Sequence, residues 1–444
     1  MEDDLITTEK KPEFICENIS RDRSGELLFA GVSLRTLAEK YGTPLYIYDV
    51  DRIRERCRTY REALTEAFGE RAEVLYASKA ASFGRLYRII NEEGLGVDVV
   101  SSGEIYVAKR AGFPLSKAYF HSNNKTDADI AYAIDEGVGY FVVDNVEELY
   151  AIDRIAKEKA KKQKVLLRIT PGIDPHTYAA VATGKVDSKF GSAIETGQAE
   201  WITDVALSLP GVALCGFHCH VGSQVFDADV YLKSAAVMLD FVARVYRSTG
   251  FLAEKLDIGG GFGVRYTADQ PRIDIRDNIL KIADFMKDKA DEVGIELPVI
   301  SLEPGRSIVA DAGITLYTVG TVKRIPGYKT YVSVDGGMAD NPRFALYGSP
   351  YTITTVKSFL CENEICSVVG RCCESGDIIQ ENVSIPSDIG RGDLLACLTT
   401  GAYQYSMASN YNRLPKPAVV MLEGGSDTLA LRRETLEDLA KLEV

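Results

Sequence analysis

With 444 residues, 46% of them hydrophobic and 26% charged, the chain holds enough apolar material for roughly two or three packed domains. A net charge of −13 with no block of lysines and arginines argues against nucleic acid or a membrane surface as partner and favours a small molecule. The acidic start "MEDDLITTEKKPEF" is unlike a targeting peptide, no apolar run is long enough to span a bilayer, and the nine scattered cysteines read as reduced thiols, so a cytoplasmic protein is expected.

From residue 73 onward, strand-like runs alternate with stretches of helical period. The runs are "EVLYASK", "VDVVSS", "AYFHSN", "YFVVD", "VLLRIT", "ALCGFHCH", "KLDIGG" and "VISLEP". Segments such as "GEIYVAKRAG" and "NVEELYAIDRIAKEKAKK" lie between them, and eight such repeats predict a parallel (β/α)8 barrel of TIM type. After the fifth run, "PGIDPHTYAAVATGKVDSKFG" is too long for a turn and reads as an active-site loop. Beyond about Ile314 the texture changes to short alternating runs, "TLYTVGTVKRI", "KTYVSVDGG", "PYTITTVKSF" and "EICSVVGR", which predict a second, all-β domain of sandwich or barrel type. The tail "SDTLALRRETLEDLAKLEV" reads as helical. The expected division is 1–43 for an N-terminal segment that lends a strand to the β domain, 44–312 for the barrel, and 313–444 for the β domain with its helical tail.

Barrels of this kind place their chemistry at the C-terminal ends of the strands. Those ends carry Lys79, Ser101, Ser102, His121, Asn123, Asp144, Arg168, His218, His220, Gly259, Gly260, Gly261 and Glu303. A strand-end lysine ordinarily snorkels to water, yet here an amine, a glycine turn, a carboxylate and an imidazole fall on one face. Together they suit an aldehyde cofactor. A lysine can hold it as a Schiff base, the glycine amides of "DIGGGFG" can approach its phosphate, and Glu303 can keep a pyridine nitrogen protonated. His220 can stack on the ring. "CGFHCH" invites a zinc reading, but no second cluster of matching spacing exists, and no metal is expected.

The motifs "YASKA", "GVDVVSSGE", "GFHCHVGSQ", "LDIGGGFG", "EPGRSIVADAG", "RCCESGD" and "GAYQYSMASNYN" stand in the order found in diaminopimelate decarboxylases. The chain resembles that family of fold-type III, alanine-racemase-like enzymes from about "LAEKYGTPLYIYD" to Asn412. The resemblance implies pyridoxal 5'-phosphate as cofactor, with Lys79 as the Schiff-base lysine, His220 on the ring face and Glu303 at the pyridine nitrogen. It implies a phosphate cradle of Ser223, Gly259, Gly260, Gly261 and the backbone of Gly305 and Arg306, with Tyr403 reaching the phosphate. Arg306, Arg343, Tyr347, Glu374 and Tyr403 match substrate-binding positions. Cys373 matches the proton donor, and it reaches with Glu374 into the site of a second subunit, so a homodimer with shared active sites is implied. Two departures are Phe344 in "NPRFALYG", where many relatives carry proline, and "SKAAS", which lacks an asparagine common after the lysine.

The activity implied is decarboxylation of meso-2,6-diaminopimelate to L-lysine and CO2, the last step of lysine biosynthesis. Such a substrate asks for a cation at its distal carboxylate and an anion at its distal ammonium, demands that Arg343 (with Arg306) and Glu374 meet. A decarboxylase for D-ornithine or D-lysine would need only the anion. That enzyme, a carboxynorspermidine decarboxylase and a non-catalytic regulatory homologue are the alternatives. Retention of Lys79, Glu303 and Cys373 together argues against the last.

Overall fold

The computed structural model describes residues 15–173 and 187–444, so residues 174–186 of the expected active-site loop, and the N-terminal fourteen residues, lie outside the described residues. Eight parallel strands form the first body: Glu73–Ala77, Gly96–Val99, Ala118–Phe120, Tyr140–Val143, Gln163–Thr170, Val212–His218, Lys255–Asp257 and Val299–Leu302. Each pairs with the next in sequence, and the eighth pairs with the first through Ser301 opposite Glu73 and Leu302 opposite Val74, which closes the barrel.

Side chains alternate along each strand, which sorts them into two cores. Leu75, Tyr119, Val142 and Leu166 point inward and fill the lower barrel. Tyr76, Val97, Phe120, Phe141, Leu167 and Phe217 point outward into the helical layer. Above the inner plug, residues just past the strand ends, Lys79, His121 and Glu303 among them, line a cavity at the mouth. Several helices that cover the barrel start on the side chain of the strand-end residue itself. Ser101 accepts the Glu104 N–H and Asn145 accepts the Glu148 N–H, each satisfying an otherwise unpaired donor.

The second body is a sheet built around the long strand Gly313–Ile325. Its path runs from Ile378–Pro386 through Asn363–Val369, Lys329–Val334, Gly313–Ile325, Leu45–Asp49 and Ala418–Glu423 to Ser426–Leu431, with Ile353–Thr355 and Leu394–Cys397 paired off it. Leu45, Ile47, Ile314, Leu316, Val420 and Leu422 are buried in its core.

Two features differ from the sequence reading. Leu45–Asp49, placed by sequence at the start of the barrel, hydrogen-bonds instead to Gly313–Ile325 and Ala418–Glu423, so the chain enters the barrel at Val50 rather than at residue 44. Residues before it make a small antiparallel sheet of their own, Ile19–Arg21, Leu27–Phe29 and Val32–Ser33, packed on the same β core. The tail is not helical throughout. Ser426–Leu431 is a strand paired with Ala418–Glu423, and helix is confined to Leu436–Ala440, where Thr435 and Asp438 form a capping box. Pairing to a buried strand overrides helix propensity in the first half of the tail.

The β domain also returns a loop over the barrel mouth. The Thr400 N–H donates to the Gly313 carbonyl, and the Tyr403 N–H donates to the Ala80 carbonyl at 2.7 Å. This clasp brings Tyr403 beside the end of the first barrel strand.

Candidate active site

Lys79 follows the first strand in a short 3-10 turn, Ser78–Ala80. Besides the Tyr403 N–H on the Ala80 carbonyl, Ser78 Oγ donates to the Asp98 carbonyl at 2.7 Å and Ser406 Oγ donates to the Lys79 carbonyl at 3.0 Å, which holds the turn. The amine opens onto a cavity of about 270 Å³ at the barrel mouth, lined also by His121, Ser122, Arg168, Phe190, His220, Ser223, Gly261, Glu303, Gly305, Arg306, Arg343 and Tyr403. Its nearest anion is Asp98, with Nζ 3.5 Å from Oδ2. Burial pulls the amine's pKa down, but Asp98, Tyr403 and Glu303 outweigh it and push it up to about 12.

Glu303 stands past the eighth strand, buried, between two histidines. His218 Nε2 is 3.0 Å from Oε2 and His121 Nε2 is 2.7 Å from Oε1. Burial would raise this carboxyl. The flanking imidazoles offset that and hold it well below the usual carboxylate range. Asp257, buried and facing that anion, is pushed well above its ordinary range, while its Oδ1 accepts the Gly259 N–H at 2.7 Å. Burial brings His218 down to about 4 against the pull of Glu303, so it is neutral. His220 is likewise held well below its ordinary value by burial and by Lys79 and Arg168, and its Nδ1 accepts the Gly260 N–H at 3.3 Å.

Opposite lies a glycine cradle. Gly261 has φ 110°, and a Cβ there would stand 2.1 Å from the Gly222 carbonyl oxygen; at Gly260 it would stand 2.0 Å from that of Glu303. Only hydrogen fits, which keeps the backbone close to any ligand in the cradle. Arg306, buried beneath it, donates from Nε and Nη2 to Ser223 Oγ at 3.1 and 3.0 Å and from Nη1 to Tyr266 Oη at 2.7 Å. Its guanidinium lies 4.7 Å from the centroid of the Tyr403 ring. Arg343 is only 7% exposed and sits over Tyr347 and Tyr403, and its buried Nε has no hydrogen-bond partner among the described residues. Glu303 Oε1 is likewise buried without an aligned partner among those residues.

The structure therefore gathers Lys79, His220, Ser223, Gly261, Glu303, Gly305, Arg306, Arg343 and Tyr403 around one cavity, while Gly259 and Gly260 precede Gly261 in the same turn without lining it. Cys373 and Glu374 do not line that cavity. Both are exposed, the Cys373 N–H donates to Asn412 Oδ1 at 2.7 Å, and Glu374 Oε1 accepts from its own turn. Tyr347 is 44% exposed at the rim. Of the other strand-end residues, Ser101 caps a helix and Asp144 accepts the Gly191 N–H.

Sequence reasoning assigned no role to His121 or His218 and passed over Asp98. The signal for Asp98 was a carboxylate in the otherwise apolar run "GVDVV". His121, His218 and Glu303 also bring donor atoms within 4.8 Å of one another, the make-up of a two-histidine, one-carboxylate cation site. Glu303 cannot serve a cation and a ring nitrogen through the same oxygen.

A profile of the pyridoxal-dependent decarboxylases, pyridoxal binding domain, matches residues 50–310. The chain is 44% identical to a diaminopimelate decarboxylase of Bacillus subtilis (strain 168), covering 96% of each protein. It is 42% identical to that of Staphylococcus aureus (strain COL), over 95% of this chain and 98% of the relative. Among solved structures, the diaminopimelate decarboxylase of M. jannaschii in complex with L-lysine superposes with a TM-score of 0.89 at 33% identity, covering 96% of this chain and 98% of that one.

Proposed function

The chain belongs to the diaminopimelate decarboxylases, pyridoxal-phosphate-dependent carboxy-lyases that yield L-lysine and CO2, and on that premise we propose how its own residues divide the work. The cavity fits the cofactor on three counts: a lysine amine at its wall, a buried unpartnered carboxylate oxygen on Glu303, and a glycine cradle that a single Cβ would fill. When bound, pyridoxal phosphate supplies the electron sink that accepts the pair left on Cα as CO2 departs.

Lys79 would hold the cofactor through its amine. Glu303 would hold the protonated ring nitrogen, and His220, neutral and fixed by the Gly260 N–H, would pack on the ring. Ser223, the Gly259–Gly261 backbone, the amides of Gly305 and Arg306, and Tyr403 would cradle the phosphate. Arg306 acts chiefly by bracing Ser223, to which two of its nitrogens are committed. Arg343 takes the distal carboxylate through a charge-assisted hydrogen bond. Cys373 returns one proton to Cα, so substrate plus a proton gives lysine plus CO2.

Cys373 and Glu374 lie outside their own cavity, and this supports a homodimer in which each chain lends both to the other's site. Leu346 and Tyr347, 53% and 44% exposed beside Arg343, offer apolar surface for that contact. Nine unpaired thiols fit a reducing, cytoplasmic compartment.

One observation carries the substrate assignment: the Arg343 guanidinium is buried in the cavity with an unspent Nε donor. A monocarboxylic diamino acid would leave it unpaired. The test is CO2 release from meso-diaminopimelate, D-lysine, D-ornithine and carboxynorspermidine. Preference for meso-diaminopimelate is expected, and faster turnover of a substrate with no distal carboxylate would reverse the assignment.

A further inference from the structure

His121 and His218 come from different strands, the third and the sixth, and close on opposite oxygens of one buried carboxylate. We propose that the two histidines are positioning residues that fix Glu303 as the anionic partner of the cofactor's ring nitrogen; this rests on the reading of Glu303 given above. A carboxylate removed from water tends to take up a proton, and a protonated Glu303 could no longer hold a proton on the ring nitrogen by ion pairing.

The geometry prevents this. Among the described residues His218 Nδ1 is buried without a partner, while Nε2 is aligned on Glu303 Oε2 at 3.0 Å. A carboxylate oxygen only accepts, so the single proton of neutral His218 sits on Nε2 and donates to Glu303. That satisfies one oxygen. His121 Nε2 lies 2.7 Å from Oε1 with no aligned hydrogen bond to it among the described residues, so its ring packs against this oxygen and leaves an acceptor direction free for the cofactor. The two rings meet edge to face, 5.0 Å between centroids at 73°, so neither turns without displacing the other.

His121 also extends the arrangement. Its Nε2 stands 3.9 Å from Asp98 Oδ1, and Asp98 Oδ2 stands 3.5 Å from Lys79 Nζ. Lys79, Asp98, His121, Glu303 and His218 thus form one row of polar groups across the barrel mouth, linking the cofactor's amine anchor to its ring-nitrogen partner. A further hold on the row comes from buried Lys125. Its Nζ donates to the Ser122 carbonyl at 3.1 Å and to Glu148 at 2.7 Å, fixing the backbone just after His121.

The experiment uses holoenzyme loaded with cofactor carrying 15N in its ring and reads the ring-nitrogen chemical shift. The variants are His121→Leu, His218→Leu, the double variant, His218→Gln and Glu303→Gln. In wild type the shift is that of a protonated nitrogen, and in the leucine variants it moves toward the unprotonated value. The accompanying loss is roughly 10- to 100-fold in kcat, the scale for a partner that orients a functional group, with little change in KM. His218→Gln, whose amide can donate to Oε2, recovers part of it. The single variants carry the test if the double variant does not fold. An unmoved shift in the leucine variants, with Glu303→Gln moving it, overturns the positioning role alone. A shift unmoved by Glu303→Gln brings down the reading of Glu303 and this inference with it.

Discussion

Arg343→Ala removes a guanidinium that the fold keeps at 7% exposure between two tyrosine rings, with Nε unspent. The distal carboxylate of the substrate then enters a cavity that no longer holds its counter-ion. Truncating one partner of a buried, hydrogen-bonded charge pair costs about 2–5 kcal/mol. At about 1.4 kcal/mol per tenfold, kcat/KM for meso-diaminopimelate should fall roughly 30- to 4,000-fold. Cofactor binding should persist, because the Glu303, Ser223 and glycine contacts lie on other elements. D-lysine lacks the distal carboxylate, so any weak activity on it should fall far less. The assay is initial-rate CO2 release on both substrates beside the cofactor absorbance of the variant. A loss below about fivefold, or an equal loss on D-lysine, would refute the reasoning, since neither is compatible with a buried charge pair.

Lys79→Ala and Cys373→Ala should each be nearly inactive alone, and mixing them under conditions of proven subunit exchange should restore some activity; exchange without recovery would count against shared sites. Gly261→Ala forces a Cβ to within 2.1 Å of the Gly222 carbonyl at φ 110°, so the variant should bind pyridoxal phosphate at least tenfold more weakly in a titration of apoprotein, about 1.4 kcal/mol, and unchanged affinity would mean the cradle is not where the phosphate sits. His218 is held near 4 in the folded protein against about 6.5 unfolded. The unfolded chain therefore binds a proton that the native one refuses as pH falls from about 6.5 to 4, and wild type should lose up to about 3 kcal/mol over that window, flat below it, relative to His218→Gln in denaturant unfolding. Parallel curves for the two proteins would show that another group governs that window.

The barrel was legible because each of its strands is a short apolar run bounded by turn residues, and because the chemistry of such barrels gathers past the strand ends. Leu45–Asp49 was not legible as a strand of the second sheet. "LYIYD" is as apolar as any barrel strand, and only its partners, Gly313–Ile325 and Ala418–Glu423, far along the chain, decide where it goes. The tail misled for a related reason, since Ser426–Leu431 is strand by virtue of its neighbour rather than its composition. In the site, Lys79, His220 and Glu303 could be read singly from type and position. The environment of Glu303 could not, because it is assembled from residues on separate strands, and a carboxylate's charge state depends on which groups meet it in space. The proposed reach of Cys373 into a second chain rests on the motif that suggested it, since one sequence holds no trace of which copy a surface side chain meets.

We propose that the cofactor sits, and diaminopimelate is decarboxylated, in the cavity at the mouth of the barrel with Lys79 as its amine. Borohydride reduction of purified holoenzyme followed by peptide mapping puts this to the test. Reduced cofactor is expected on the peptide carrying Lys79 and on no other, with loss of CO2 release in proportion to labelling. Cofactor fixed on a different lysine, or full labelling of Lys79 with activity retained, would contradict it.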